Sequence, residues 1–89
     1  MALTVVRHTV SDYSAWREVY DSVKPLQTKY GVLEESAYQD PGNPNDVLVL
    51  HRFASVAKAE AFVNSPELRE SMGRAGVVGH PRIEIFEDA

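Results

Sequence analysis

The four consecutive apolar residues Val47–Leu50 restrict the fold of this chain more than any other feature of its sequence. They open a segment, Val47–Phe53, whose branched and aromatic residues are typical of a β-strand. Successive side chains of a strand point to opposite faces of a sheet, so this strand is apolar on both faces. A sheet that contains it must therefore be covered on both sides.

Three other segments have strand composition: Leu3–Val10, Val32–Asp40 and Arg82–Phe86. Between the second and third strands, Asp40–Asp46 holds two prolines, a glycine and two asparagines, which predicts a hairpin with a long connection. Gly79-His80-Pro81 predicts a loop before the last strand.

The helices are predicted from spacing and from caps. The first carries an apolar stripe at the i, i+3, i+4 and i+7 spacing, which consists of Trp16, Val19, Tyr20 and Val23. Ser11 and Asp12 are N-cap candidates for this helix. Pro25 predicts a kink in it, and Gly31 is its natural end. Further along, Ser55 can cap a short helix, and a second helix starts at Ser65-Pro66.

This order predicts one α+β domain over residues 1–89, with the ferredoxin-like arrangement βαββ(αα)β. Its four-stranded antiparallel sheet has helices on one face. The helices form a single layer, so the second apolar face, to which Val5-Val6 and Ile85-Phe86 also contribute, needs another cover. The simplest cover is the same face of a second copy, which predicts a homodimer. Without cysteine, a disulfide framework is excluded.

The charge and hydropathy of the chain argue against binding to nucleic acids and to membranes. The net charge is −4 and no cluster of lysine and arginine occurs, so we expect no nucleic-acid partner. No apolar stretch reaches membrane-spanning length, and the N-terminus has no signal-peptide pattern. We therefore expect a soluble, cytoplasmic protein that has no membrane partner.

His8 and His51 are the candidate catalytic residues. Both fall on predicted strands that are neighbours in this type of sheet, and a histidine that titrates near neutrality can act as a general base or hydrogen-bond donor. The alternative is that each is a hydrogen-bonded residue of the core or of the dimer interface. The strand pattern leaves open which face each occupies, because a shift of one residue reverses the face.

Aromatic and flexible apolar residues are the candidates for substrate binding. Trp16 and Tyr20 lie on the inner stripe of the first helix and can line a pocket for a flat aromatic ligand. Tyr38, Phe62 and Met72 admit the same interpretation. For all five, the alternative is a purely structural place in the core.

Three polar residues complete the candidate binding set. Arg52 can bind a carboxylate or phenolate, and the alternative is a charge that is solvated or lies in the dimer interface. Glu84 is expected to pair with Arg7 or Arg52 across strands, or to act as an acid or base in the pocket. His80 is expected at the surface, where it can gate the pocket mouth. The three histidines lack the spacing of known metal motifs, so we expect no metal.

Four segments resemble the antibiotic biosynthesis monooxygenase-like branch of the dimeric α+β barrel superfamily: Val6–Arg17, Leu50–Phe53, Phe62–Leu68 and Gly76–Phe86. The resemblance implies a dimer whose two sheets close into a barrel, with an apolar pocket between the sheet and helices of each subunit. Relatives include enzymes that oxygenate aromatic polyketides without metal or flavin. Others cyclise polyketides, isomerise small acids or degrade haem.

The resemblance thus implies a cofactor-independent monooxygenase or cyclase for a small aromatic, polyketide-type substrate. Haem-degrading relatives carry tryptophan and histidine on the later helices, whereas the only tryptophan here is Trp16 and no histidine lies in residues 55–79. This difference argues against haem, and we expect no cofactor. The alternative function is a non-catalytic dimeric module that binds a small molecule or has a structural role.

Overall fold

The computed structural model describes residues 1–89 and contains one antiparallel sheet of four strands with four helices. The elements are β1 (Ala2–Val10), α1 (Tyr13–Ser22), α2 (Lys24–Tyr30), β2 (Glu34–Asp40), β3 (Asn43–Phe53), α3 (Val56–Val63), α4 (Pro66–Arg74) and β4 (Val77–Glu87). The strand order in the sheet is β2-β3-β1-β4. The predicted ferredoxin-like α+β fold is confirmed.

Side-chain caps start three of the helices where the sequence predicts them. The carboxylate of Asp12 accepts a hydrogen bond from the Ala15 amide at the start of α1, at 3.0 Å. Ser55 and Ser65 act in the same way at the starts of α3 and α4. Each bond satisfies a backbone N–H that has no partner within its helix.

The predicted kink at Pro25 is instead a break between two helices. α1 ends at Ser22, and α2 begins at Lys24 with Pro25 in its first turn. Proline costs little there, because the N–H that it lacks would have no helical partner. Gly31 ends α2 in the left-handed conformation, with φ of 85°, as the sequence predicts.

The long connection predicted between β2 and β3 is wrong. β3 already begins at Asn43, which leaves only Pro41 and Gly42 between the two strands. The register of β2 with β3 shifts at Asp40, whereas Asp46 still pairs with Thr9 of β1. Pro41 thus lies in the two-residue turn, and Pro44 lies in a bulge of β3 between Asn43, which pairs with Asp40, and Val47, which pairs with Gln39.

The loop predicted at Gly79–Pro81 is likewise part of a strand. Arg7 pairs with Arg82 and Thr9 pairs with Val78, so Gly79–Pro81 on β4 spans the single residue between them on β1. This is a β-bulge, and Gly79 adopts its φ of 70° without the penalty that a side chain would bring. Glycine and proline favour bulges as well as loops, and this explains the error.

Alternation along β1 and β3 gives the sheet two different faces. Val6, Val10, Val47, Val49 and Phe53 point towards the helices and are buried. On the opposite face, which no helix covers, four half-buried aliphatic side chains occupy the centre: Leu3, Val5, Leu48 and Leu50. We call this surface the open face.

Gly76 joins α4 to β4 in a conformation that should tolerate no side chain. Its φ is 78°, and a Cβ there would lie 2.6 Å from the Ser11 hydroxyl. We expect Gly76→Ala to lower the free energy of unfolding by about 1–3 kcal/mol, because it adds left-handed strain and a steric clash. The control is Gly73→Ala within α4, where a Cβ meets nothing within 4 Å. Urea denaturation should show this variant to be as stable as the wild type or slightly more so.

Candidate functional site

A cavity of about 50 Å³ lies between the helix-covered face of the sheet and the helices. Ten of its thirteen lining residues are hydrophobic, and the polar ones are His8, His51 and Ser71. The hydrophobic ones are Val6, Trp16, Val19, Tyr20, Val23, Val49, Phe62, Leu68, Met72 and Ala75. We call this space the histidine cavity. Both candidate histidines therefore lie on the face towards the helices, which the sequence left open.

His8 lies on β1 with 7% of its surface exposed, and neither of its ring nitrogens has a hydrogen-bond partner. Its ring meets that of Trp16 edge-on, with 5.8 Å between the centroids. Burial lowers the pKa of His8, while the negative charge of Asp46 acts in the opposite direction. His8 is therefore neutral at pH 7, with free donor and acceptor capacity.

His51 lies on β3, is 4% exposed and has one polar neighbour. The amide nitrogen of Gln27 lies 3.4 Å from its Nε2, and its Nδ1 is unpartnered. With the amide donating to Nε2, the proton of the neutral ring lies on Nδ1. Burial lowers the pKa of His51 to about 4; Glu35 opposes this shift, and Lys24 adds to it.

The two histidines lie at opposite ends of the histidine cavity. His8 pairs with Val47, four residues before His51 on the same strand. This offset places their Cα atoms at least about 13 Å apart at the usual strand rise. The pair formed by Val6 and Val49 lies between them and forms the floor of the cavity. A ligand that touches both imidazoles must therefore lie along the strands.

Trp16 and Tyr20 form one wall. Their rings stack with centroids 4.8 Å apart and planes inclined by 16°. The Tyr20 hydroxyl donates to Glu35 at 2.6 Å, and Lys24 lies 3.3 Å from the same carboxylate. Burial, followed by the bond to Glu35, raises the pKa of Tyr20, whereas the bond from Tyr20 lowers the pKa of Glu35. Tyr20 is therefore a neutral, fixed wall residue.

The structure divides the predicted binding residues into two groups. Trp16, Tyr20, Phe62 and Met72 line the histidine cavity together with His8 and His51. The other four, which are Tyr38, Arg52, His80 and Glu84, do not line it.

The four residues outside the cavity owe their positions to strand alternation and to the bulge. Tyr38, Arg52 and Glu84 pair in register with open-face residues, so they point away from the helices. Arg52 forms an ion pair with Asp88 at 3.1 Å. His80 is an exposed residue of the β4 bulge.

The ion pair predicted for Glu84 has different partners. Glu84 lies 3.0 Å from Arg82 on its own strand, rather than pairing with Arg7 or Arg52. Arg7 instead binds Asp46 on β3, at 2.7 Å. These charges ring the open face, while no acid lines the histidine cavity.

Three polar residues beside the cavity were missed in the sequence. Gln27 continues the helical stripe beyond Val23, so the spacing could have identified it. Ser71 is buried, and its hydroxyl donates a hydrogen bond to the Glu67 carbonyl, so the hydrogen-bonding need of this hydroxyl is met within α4. Glu35 faces Tyr20 because it pairs with His51 in the sheet, a contact that no local pattern predicts.

The structure contains neither a cluster of metal-binding side chains nor a membrane-spanning helix. No three histidine, cysteine, aspartate or glutamate side chains are grouped so that they could hold a metal ion. No helix combines the length and the apolar character needed to cross a membrane.

The pH dependence of stability offers a direct test of the burial of His51. Between about pH 6.5 and 4.5 the unfolded chain binds a proton at this residue, whereas the folded chain does not until about pH 4. The free energy of unfolding should therefore fall on acidification, with His51 contributing about 2–3 kcal/mol over this range. We expect His51→Gln to reduce this slope and His80→Gln, at an exposed site, to retain it. Urea titrations at stepped pH measure both, and an unchanged slope in His51→Gln would contradict the assignment.

Comparisons with known proteins point to one family. The family model for antibiotic biosynthesis monooxygenases matches residues 11–74, which contain α1 to α4 and most of the residues lining the histidine cavity. A comparison with curated proteins gives no match.

Solved structures share the fold at low sequence identity. A candidate antibiotic biosynthesis monooxygenase from Bordetella bronchiseptica is 11% identical, with a TM-score of 0.83 over 99% of this chain and 96% of that one. SnoaB, a cofactor-independent oxygenase from Streptomyces nogalater, is 10% identical, with a TM-score of 0.80 over 99% and 92%. A candidate monooxygenase from Deinococcus radiodurans is 13% identical, with a TM-score of 0.78 over 100% and 93%.

Proposed function

Because this chain belongs to the antibiotic biosynthesis monooxygenase family, we propose that it is a cofactor-independent oxygenase for a small, flat, electron-rich aromatic substrate. The observation that carries the proposal is the set of three buried ring nitrogens of His8 and His51 that have no partner. Each unpaired buried polar atom costs about 1–3 kcal/mol. A ligand with polar atoms at both ends would satisfy them.

We assign the role of general base to His8. Both of its nitrogens are free, and the nearby charge of Asp46 favours its protonated form. His51 is the weaker base, because its pKa is about 4 and its Nε2 is already in contact with Gln27. Its free Nδ1–H is suited to donate to a carbonyl or phenolic oxygen of the substrate and so to stabilise developing negative charge.

The proposed reaction converts an activated methylene group into a carbonyl. His8 removes a proton from a carbon flanked by aromatic rings, which gives a delocalised carbanion. This anion transfers one electron to dioxygen, and the resulting carbon radical and superoxide combine to form a peroxide anion. The imidazolium returns the proton to this anion, which gives a hydroperoxide. Loss of water then gives the product, so that one methylene group and one dioxygen become one carbonyl group and one water. The substrate is oxidised and dioxygen is reduced, without another electron donor.

The apolar lining suits this chemistry. Exclusion of water strengthens the attraction between the imidazolium and the carbanion, and it prevents the anion from being protonated by solvent. The stacked rings of Trp16 and Tyr20 offer a flat surface against which an aromatic substrate can lie.

The size of the cavity favours a second candidate function. A volume of about 50 Å³ accommodates a water molecule or a very small ligand, but no fused aromatic system without side-chain movement. A non-catalytic module for a small polar molecule is consistent with this volume. Such a module would be stabilised by its ligand and would form no product.

We also propose that two copies associate through their open faces. The aliphatic centre formed by Leu3, Val5, Leu48 and Leu50 would then be removed from water. The exposed aromatic rings of Tyr38 and Phe86 lie on the same face and would extend the contact.

The functional test is dioxygen consumption with anthrone, a tricyclic ketone that has an activated methylene group. After dialysis against a chelator, we expect one dioxygen to be consumed for each anthraquinone formed, at a rate proportional to the protein concentration. Binding of anthrone without dioxygen consumption would support the non-catalytic module and contradict the oxygenase.

A further inference from the structure

A second, larger depression lies beside the histidine cavity, between the helix pair and β4. Its volume is about 610 Å³, within the range of about 300–1,000 Å³ that is usual for ligand pockets. Leu68, Arg69 and Met72 of α4 form one wall, and Ile83 and Ile85 of β4 lie on the other. We call it the β4 groove.

The groove and the histidine cavity share two lining residues, Leu68 and Met72. These side chains are therefore the partition between the two spaces. Methionine is unbranched and has three rotatable side-chain bonds, so it can change rotamer at low cost. Movement of Met72 would connect the histidine cavity, which is too small for an aromatic ring system, to the β4 groove, which has the volume of a ligand pocket.

Arg69 is the only arginine of the chain without a carboxylate partner. The other five each lie 2.7–3.9 Å from an aspartate or glutamate oxygen. Arg69 lines the β4 groove, which contains no acidic residue. In a chain with a net charge of −4, this groove is thus a local positive site. A guanidinium with free donors is suited to bind a carboxylate through two parallel hydrogen bonds.

We propose that the β4 groove is the second half of the substrate site, and that the substrate is an aromatic compound with a carboxylate. The carboxylate binds Arg69 in the groove, and the ring system enters the histidine cavity past Met72. This inference rests on the proposed function for the location of the ring. Beyond the proposed function, it specifies that the substrate is an anion, that Arg69 selects for it, and that it enters past Met72.

The test is a binding measurement with two probes that differ in charge, anthraquinone-2-carboxylate and anthraquinone-2-carboxamide. Trp16 is the only tryptophan and lines the histidine cavity, so quenching of its fluorescence reports that the ring is bound there. We expect Arg69→Gln to weaken binding of the carboxylate at least about fivefold, a loss of about 1 kcal/mol, and to leave the carboxamide unchanged. Added salt should weaken binding of the carboxylate but not of the carboxamide, and this salt effect should be lost in Arg69→Gln.

The matched control is Arg74→Gln on the same helix. Both arginines are exposed, but only Arg69 lines the groove, so both probes should bind the Arg74 variant as they bind the wild type. A third variant, Met72→Ala, should increase the association rate of both probes severalfold, because it shortens the side chain that closes the passage.

If Arg69→Gln and Arg74→Gln weakened binding of the carboxylate probe equally, the inference would be overturned, because the effect would depend only on the net charge of the protein. It would also be overturned if Arg69→Gln changed the sedimentation of the protein but not the affinity for the carboxylate, since the groove would then be a contact between copies. Binding that depends on Arg69, without any dioxygen consumption, would leave this inference intact and contradict the oxygenase. If neither probe quenches the fluorescence of Trp16 in the wild type, both this inference and the proposed oxygenase function are wrong.

Discussion

Replacing His8 by glutamine is expected to lower kcat for dioxygen consumption with anthrone by about a hundredfold or more. General-base catalysis contributes about 10²–10⁴ to a rate, and glutamine cannot accept the substrate proton. Glutamine can still form hydrogen bonds, so the variant should fold and bind the substrate with little change in KM. Steady-state oxygen electrode measurements give both constants.

The control for this variant is His80→Gln. His80 is exposed on the β4 bulge and does not line the histidine cavity, so its removal should leave kcat unchanged. Because burial lowers the pKa of His8 from the usual value of 6.5, kcat/KM of the wild type should stay constant down to that pH and fall only below it. If His8→Gln retains the wild-type rate, another group is the base, and His51 is the next candidate.

The fold could be predicted because its local signals agree with one another. Caps at Asp12, Ser55 and Ser65, and the stop at Gly31, match the helix ends that the structure shows. The two errors in the strands, at Asp40–Asp46 and Gly79–Pro81, have a common cause. In both segments proline and glycine indicate irregular backbone, but pairing with a distant strand, β2 for the first segment and β1 for the second, decides whether that backbone is a loop or a bulged strand.

The site was less predictable than the fold, because its composition depends on register. Trp16 and Tyr20 follow from helical periodicity alone. The positions of Tyr38 and Glu84 depend on which side of the sheet each faces, and pairing between distant segments determines this. The pairing of Glu35 with His51 is of the same kind. The cavity volume depends on how side chains from separate strands and helices pack together, which no local pattern encodes.

Leu50→Asp is expected to separate the proposed dimer into monomers. Leu50 lies at the centre of the open face, where it pairs with Val5 on one side and Ser36 on the other. A carboxylate there would be buried against aliphatic side chains, and the nearest cation on this face, Arg52, is already paired with Asp88, so the cost is several kcal/mol. The cost applies to each of the two subunits of the dimer, so the dissociation constant of the dimer should rise at least about a thousandfold. Sedimentation equilibrium at micromolar concentration would detect the change.

The matched control is Leu33→Asp. Leu33 is 55% exposed and lies between α2 and β2, outside the open face, so its replacement should leave the dimer intact. The histidine cavity lies on the other side of the sheet, and the Leu50→Asp monomer should therefore still show quenching of Trp16 when anthraquinone-2-carboxylate binds. A wild-type chain that sediments as a folded monomer would contradict the proposed dimer. It would also mean that an aliphatic centre made by two neighbouring strands is stable in water, contrary to the usual limit on exposed apolar patches.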